Sequence, residues 1–264
     1  MTLTNHNIAR SAALCEVIYS LPESTRWKEV PWLGPHTLSV KSTPLHRNLI
    51  GKAGTVEVAL FKEDDTCYIC YSGTEDKEFW IYNTDTACLH YKGYRFHRGL
   101  FTLTNEIYKD IHRDIKDFIA GASKVVHCGH SSGGAVAGIM PLLLSKPQEH
   151  LIVDFGTPRY LSSPCLKLPS GGLYPYNRMR FQEIYDLVPC LPLSWRGPLP
   201  GFCHFGKVFY TTPKGTVTPK KSWWRPAIFA WKYLHSLATE GPIYEIGRHH
   251  SIHNYFSTVV SHVS

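Results

Sequence analysis

Val125-Val126-His127-Cys128-Gly129-His130-Ser131-Ser132-Gly133-Gly134-Ala135 is the stretch whose reading decides the fold. An apolar run leads into Gly-x-Ser-x-Gly, and small residues follow it. A strand that turns abruptly into a helix needs this composition. The serine at the tip takes a strained backbone conformation. Gly129 and Gly133 remove side chains that would collide across the turn. The helix behind the serine points its positive dipole end at whatever reacts there. Residue types and order prepare a nucleophile: a serine on a tight turn, next to amide donors.

The segments on either side are of matching kind. Residues 55–61 alternate as a strand, and 66–71 form a second strand that ends at Ser72-Gly73. Leu100, Leu103, Ile107, Ile111, Ile115 and Phe118 mark a long amphipathic helix stopped at Gly121. Residues 124–128 are the strand before the serine, and 133–144 the helix after it, bent at Pro141. Residues 151–155, 179–184 and 207–212 supply further strands. The Pro-, Gly- and Ser-rich stretch 161–176 reads as loop. At the N-terminus, Ile8, Leu14, Val17, Ile18 and Leu21 read as an amphipathic helix. Strands alternating with helices predict an α/β fold with a mostly parallel central sheet flanked by helices.

Composition agrees and narrows the classes. The chain has 264 residues, 43% hydrophobic and 19% charged, which excludes disorder, collagen and coiled coil. One domain over 1–264 is the expectation. The formal charge of +7 is spread along the chain, with no basic run longer than Lys220-Lys221, so no nucleic-acid partner is expected. No apolar stretch approaches the roughly 18 residues of a membrane span, and the N-terminus lacks the early basic cluster of a signal peptide. The expected location is therefore cytoplasmic. The eight cysteines show no tight framework. Cys67-x-x-Cys70 lies in a β-rich run without a second pair at finger spacing, so it reads as two buried small residues, and no metal is expected.

A serine nucleophile needs a base, and the base needs an orienting acid. In folds with this turn, the order along the chain is serine, acid, histidine. Downstream of Ser131 the acids in strand context are Asp154 and Asp186. Asp186 directly follows a β run, which puts it at a strand's C-terminal end beside the turn. The late histidines are His235, His249, His250, His253 and His262.

These residues resemble the class 3 lipase family of α/β-hydrolases. The resemblance runs from the N-terminal helix to about Phe256 and falls in ordered blocks. Tyr71-Ser-Gly-Thr74 looks like the family's Phe-Arg-Gly-Thr/Ser block, and Trp80 follows Thr74 by six positions as the family's Trp does. His97-Arg-Gly99, Gly129 to Ala135, Phe155-Gly-Thr-Pro-Arg159 and Asp186-Leu-Val-Pro189 with Leu191-Pro192 follow in family order. Ser72 departs from the family's arginine. At the end of the chain, His250-Ser-Ile-His-Asn-Tyr255 fits the family's His-Ser-(Ile/Met)-x-x-Tyr form with His250, while His253 is the runner-up base and His249 a third candidate.

The resemblance implies a serine carboxylic-ester hydrolase, a lipase or esterase acting on acyl esters of glycerol or related lipids, with Ser131, Asp186 and His250 as its triad. It implies an oxyanion hole from the amides of Thr74 and Ser132, and no cofactor. A phospholipase A, an acyltransferase with the same triad, or a non-catalytic lipid-binding protein of the same fold are the alternatives. Family order also makes 75–94 a candidate lid, either an amphipathic flap that opens at a lipid surface or a fixed loop that packs its aromatics inward. Residues 213–241 have no family counterpart and read as an insertion. There Lys214, Lys220, Lys221 and Arg225 surround Trp223, Trp224 and Trp231, a composition suited to an anionic membrane surface, or else to a solvated loop and a core-packing helix.

Overall fold

The computed structural model describes residues 3–21, 26–31, 36–44, 55–73, 84–144, 149–162, 176–192, 201–212, 215–218 and 249–263. Thr74, residues 75–83 of the expected lid, 163–175 of the expected loop, and 213–214 and 219–241 of the expected insertion lie outside them.

The strands are β1 Lys28–Pro31, β2 Thr37–Pro44, β3 Thr55–Glu63, β4 Thr66–Tyr71, β5 Cys88–Tyr91, β6 Tyr94–His97, β7 Lys124–His130, β8 Glu149–Phe155, β9 Leu161–Ser162, β10 Asn177–Glu183, β11 Phe202–Cys203, β12 Lys207–Thr211 and β13 Val217–Thr218. The helices are α1 Asn5–Val17, α2 Arg98–Phe118, α3 Ser132–Leu144 and α4 Ile252–Val263. Among the described residues, nine strands form the main sheet in the order β1-β2-β3-β4-β7-β8-β10-β12-β13. Its centre is parallel, from β4 through β7, β8 and β10 to β12. Both edges are antiparallel hairpins.

Strand alternation explains the two layers of core. On β4, Ile69 and Tyr71 face the side covered by α2 and α3, while Tyr68 and Cys70 face the side covered by α1 and α4. In α2, Leu103, Ile107, Ile111 and Ile115 recur at four-residue spacing and are fully buried, each contributing about 1.5–3 kcal/mol. Every residue of α3 is buried, so the helix behind Ser131 is locked in place and runs through Pro141 to Leu144. A capping box starts α1: the Asn7 amide donates to Thr4 Oγ1 and the Thr4 amide donates to Asn7 Oδ1. Among the described residues no helix is long and apolar enough to cross a membrane.

One reading changes, and two segments gain detail. The expected loop opens with strand β9, which joins β5, β6 and β11 in a second, antiparallel sheet. The far part of the expected lid is that sheet's β5–β6 hairpin, turning through Lys92 and Gly93 at positive φ. It is fixed to the body, because Tyr91 packs on Phe101 and Lys92 Nζ donates to the Leu142 carbonyl at 2.9 Å. The described start of the expected insertion, β13, pairs with β12 and extends the main sheet.

Candidate active site

The site lies at the C-terminal ends of β4, β7, β8 and β10. Ser131 joins β7 to α3 with φ +57°, a left-handed conformation costly for a residue with a Cβ. Its amide donates to the Phe155 carbonyl at 2.9 Å, and its carbonyl accepts from the Gly134 amide at 3.1 Å. Two glycines make the turn fit. A Cβ on Gly129 would run into the backbone of Gly133, and a Cβ on Gly133 would run into the Tyr71 and Ser72 carbonyls. Ser132 is buried and opens α3, so the helix's positive end lies beside Ser131.

Asp186 follows β10, buried at 1% exposure. Its Oδ2 accepts from His250 Nδ1 at 2.8 Å and from the Tyr255 hydroxyl at 2.6 Å. Its Oδ1 accepts from the Val188 amide at 2.9 Å. Tyr255 in turn accepts from the Glu183 amide at 2.9 Å. Burial and the neighbouring carboxylate hold the Tyr255 hydroxyl well above its ordinary pKa, so it stays a donor. His250 Nδ1 is thus committed to the acid. Its Nε2 is buried and has no hydrogen-bond partner among the described residues. Gly156, at φ +61°, ends β8 directly under this pair: an added Cβ would lie 2.9 Å from both Asp186 Oδ2 and His250 Cε1.

The rival residues are elsewhere. Asp154 is bound bidentately by Arg178, at 2.5 and 3.0 Å, in a fully buried ion pair. His249 Nδ1 stands 3.3 Å from Glu183 Oε2. His253, in the first turn of α4, is exposed and pairs with Glu16 at 3.0 Å. His97 caps α2, its Nδ1 accepting from the Leu100 amide. Ser72, where the family carries arginine, is tied to β3: its Oγ donates to Glu57 Oε2 at 2.8 Å and accepts from the Glu57 amide at 2.9 Å. Thr74 lies outside the described residues; Gly73 before it donates its amide to the Tyr19 hydroxyl at 2.8 Å.

Cys67 and Cys70 do not form a pair. Three residues apart on a strand, they point to opposite faces, and Cys70 meets Cys15 of α1 (Sγ–Sγ 3.6 Å) and Cys128 of β7. Burial raises the Cys15 and Cys70 thiols well above their ordinary pKa. The sequence did not signal the roles of Tyr19 and Tyr255 around the site. Tyr255 stood in the histidine block as a spacing mark only.

A family model described as lipase (class 3) matches residues 68–195. No curated protein matches the chain. Among solved structures, a lipase from Rhizopus microsporus var. chinensis has a TM-score of 0.57 at 20% identity, covering 84% of this chain and 78% of that one. A Rhizomucor miehei lipase in complex with its propeptide gives 0.56 at 22%, over 78% and 68%. A triacylglycerol lipase from Penicillium expansum gives 0.57 at 14%, over 86% and 87%. At these identities the structural likeness establishes the fold.

Proposed function

We propose that this chain, which belongs to the class 3 lipase family through residues 68–195, is a serine carboxylic-ester hydrolase whose triad is Ser131, His250 and Asp186. The observation that carries the assignment is the His250 Nδ1–Asp186 Oδ2 bond of 2.8 Å, set beside a serine held at φ +57°. In this reading Ser131 Oγ attacks the ester carbonyl and His250 Nε2 takes the hydroxyl proton. Asp186 keeps the imidazole proton on Nδ1 and stabilises the imidazolium that forms. The amides of Ser132 and Thr74 receive the negative charge on the carbonyl oxygen, each donor contributing about 2.7–4 kcal/mol to the transition state. The C–O bond to the alcohol then breaks, and His250 returns its proton to the departing oxygen. Water repeats the sequence on the acyl-enzyme and frees the acid and Ser131.

The substrates are acyl esters of glycerol or related lipids. The fungal proteins of the same fold are described as lipases, one of them a triacylglycerol lipase. A fluorophosphonate probe tests the mechanism: it labels the wild type and leaves Ser131→Ala unlabelled. An unlabelled wild type, or equal labelling of both, overturns the assignment. Hydrolysis of acyl esters of increasing chain length, with and without an emulsion interface, places the enzyme between esterase and lipase. In the same reading, the basic, tryptophan-bearing sequence around Trp223 and Trp224 meets an anionic lipid surface. Trp223→Ala/Trp224→Ala protein then loses partitioning onto anionic vesicles; unchanged partitioning removes that contact from the proposal.

A further inference from the structure

A chain of hydrogen bonds joins the three pieces of the site, and no triad side chain belongs to it. The Gly73 amide donates to the Tyr19 hydroxyl at 2.8 Å. Tyr19 lies 2.8 Å from His130 Nδ1, and His130 Nε2 lies 2.7 Å from the backbone carbonyl of His250. The protons can be assigned. A carbonyl only accepts, so His130 Nε2 carries the hydrogen. Burial and the neighbouring His250 hold the His130 ring neutral, so its Nδ1 is an acceptor. The Tyr19 hydroxyl therefore donates to Nδ1 and accepts from Gly73, and each of the three groups has one consistent role.

The geometry is tight at both ends. The His130 ring packs on that of His250 with centroids 4.5 Å apart. A Cβ on Gly73 would lie 2.5 Å from the Tyr19 oxygen and 2.9 Å from Ser131 Cβ, so the β4 end is wedged between the tyrosine and the nucleophile. Tyr19 itself sits in the 3₁₀ turn Ile18–Ser20 that follows α1.

We infer that Tyr19 and His130 are positioning residues for ester hydrolysis, fixing the end of β4 that leads into the Thr74 donor and the backbone of His250 relative to Ser131. The inference rests on the hydrolase reading above. Neither side chain hydrogen-bonds a reacting atom: Tyr19 acts through the Gly73 amide and His130, and His130 through the His250 carbonyl and the face of its ring. A displacement of about 1 Å at either end is enough to cost roughly a hundredfold in turnover.

The test uses the full chain, a soluble p-nitrophenyl ester, and Tyr19→Phe, His130→Phe, His130→Asn and the Tyr19→Phe/His130→Phe double variant. Wild-type turnover and fluorophosphonate labelling of Ser131 are measured first. If both are absent, the hydrolase reading itself fails, and this inference with it. Where they are present, Tyr19→Phe lowers kcat about 10-fold and His130→Phe about 100-fold, with KM within twofold and cooperative urea unfolding retained. The double variant is no slower than His130→Phe, whereas independent losses would multiply to about 1000-fold. His130→Asn, whose amide oxygen replaces Nδ1 as acceptor, regains part of kcat only when Tyr19 keeps its hydroxyl. Wild-type kcat in Tyr19→Phe and His130→Phe, or effects that simply multiply, overturns the inference while the hydrolase reading stands.

Discussion

Gly156→Ala puts a methyl group under the acid–base pair, and its effect can be worked from two features of the position. The backbone there has φ +61°, a conformation that costs an L-residue about 1–2 kcal/mol. The new Cβ would lie 2.9 Å from Asp186 Oδ2, 2.9 Å from His250 Cε1 and 3.0 Å from His250 Nδ1. Comfortable contacts are near 3.5 Å, so the pair must give way by about half an ångström. Asp186 is held by Tyr255 and the Val188 amide, so His250 is the side that yields. Overpacking of this kind adds about 1–3 kcal/mol, for a total destabilisation of about 2–5 kcal/mol. Displacing the imidazole from the serine lowers kcat by about 10- to 100-fold. Gly93→Ala separates the two causes, since Gly93 also has positive φ (+81°) but no atom within 4 Å of an added Cβ. It should lose about 1–2 kcal/mol of stability and keep its kcat. Urea unfolding and p-nitrophenyl ester turnover read both variants. A Gly156→Ala enzyme with kcat within threefold of wild type refutes the placement of His250 against this glycine.

Three further outcomes are expected. Tyr255→Phe strands the buried Glu183 amide and takes one donor from Asp186, so it should cost about 2–4 kcal/mol of unfolding free energy; a loss below about 0.5 kcal/mol counts against the contact. Burial lowers the pKa values of His127 and His130 well below the usual 6.5, so the folded state keeps both neutral while the unfolded chain takes up protons below that pH. Their stabilisation is complete above about pH 6.5 and falls as pH drops below it, by up to about 1.4 kcal/mol per pH unit for each histidine; urea midpoints from pH 7.5 to 5 in wild type and His127→Phe measure the slope, and an unchanged slope in the variant disproves the assignment. Cys15, Cys70 and Cys128 are fully buried, so a thiol reagent at pH 7 should spare them until urea unfolds the chain; peptide mapping that finds Cys70 modified in native protein contradicts this.

What the sequence disclosed follows from how local each determinant is. The turn at Ser131 was legible because strand, glycines and helix are contiguous. Asp186 was legible from its place at the end of a β run, and α2 from four-residue spacing. The choice between His250 and His253 was not local: the two are three residues apart, and what separates them is that α4 begins at Ile252, sending His253 to Glu16 and solvent while His250 precedes the helix and reaches Asp186. The pairing of Asp154 with Arg178 was hidden for the same reason, since the partners meet only across the β8–β10 register. Strands β1, β2, β5, β6, β9, β11 and β13 went unread because they are short or polar and take their stability from pairing with neighbouring strands.

The departure at Ser72 gains a physical meaning from these contacts. The oxyanion donor proposed at Thr74 is a backbone amide, so what matters is where the end of β4 is held, whichever side chain stands at position 72. Ser72 holds it from the β3 side, through Oγ and its own amide to Glu57. Tyr19 holds it from the other side, through the Gly73 amide. A short side chain bonded locally to β3 therefore anchors the strand end from one side, and Tyr19, in the 3₁₀ turn after α1, supplies the second anchor. Truncation before residue 20 should then damage turnover more than its distance in sequence from Ser131 suggests, because it removes the only side chain that bridges Gly73 and His130 among the described residues.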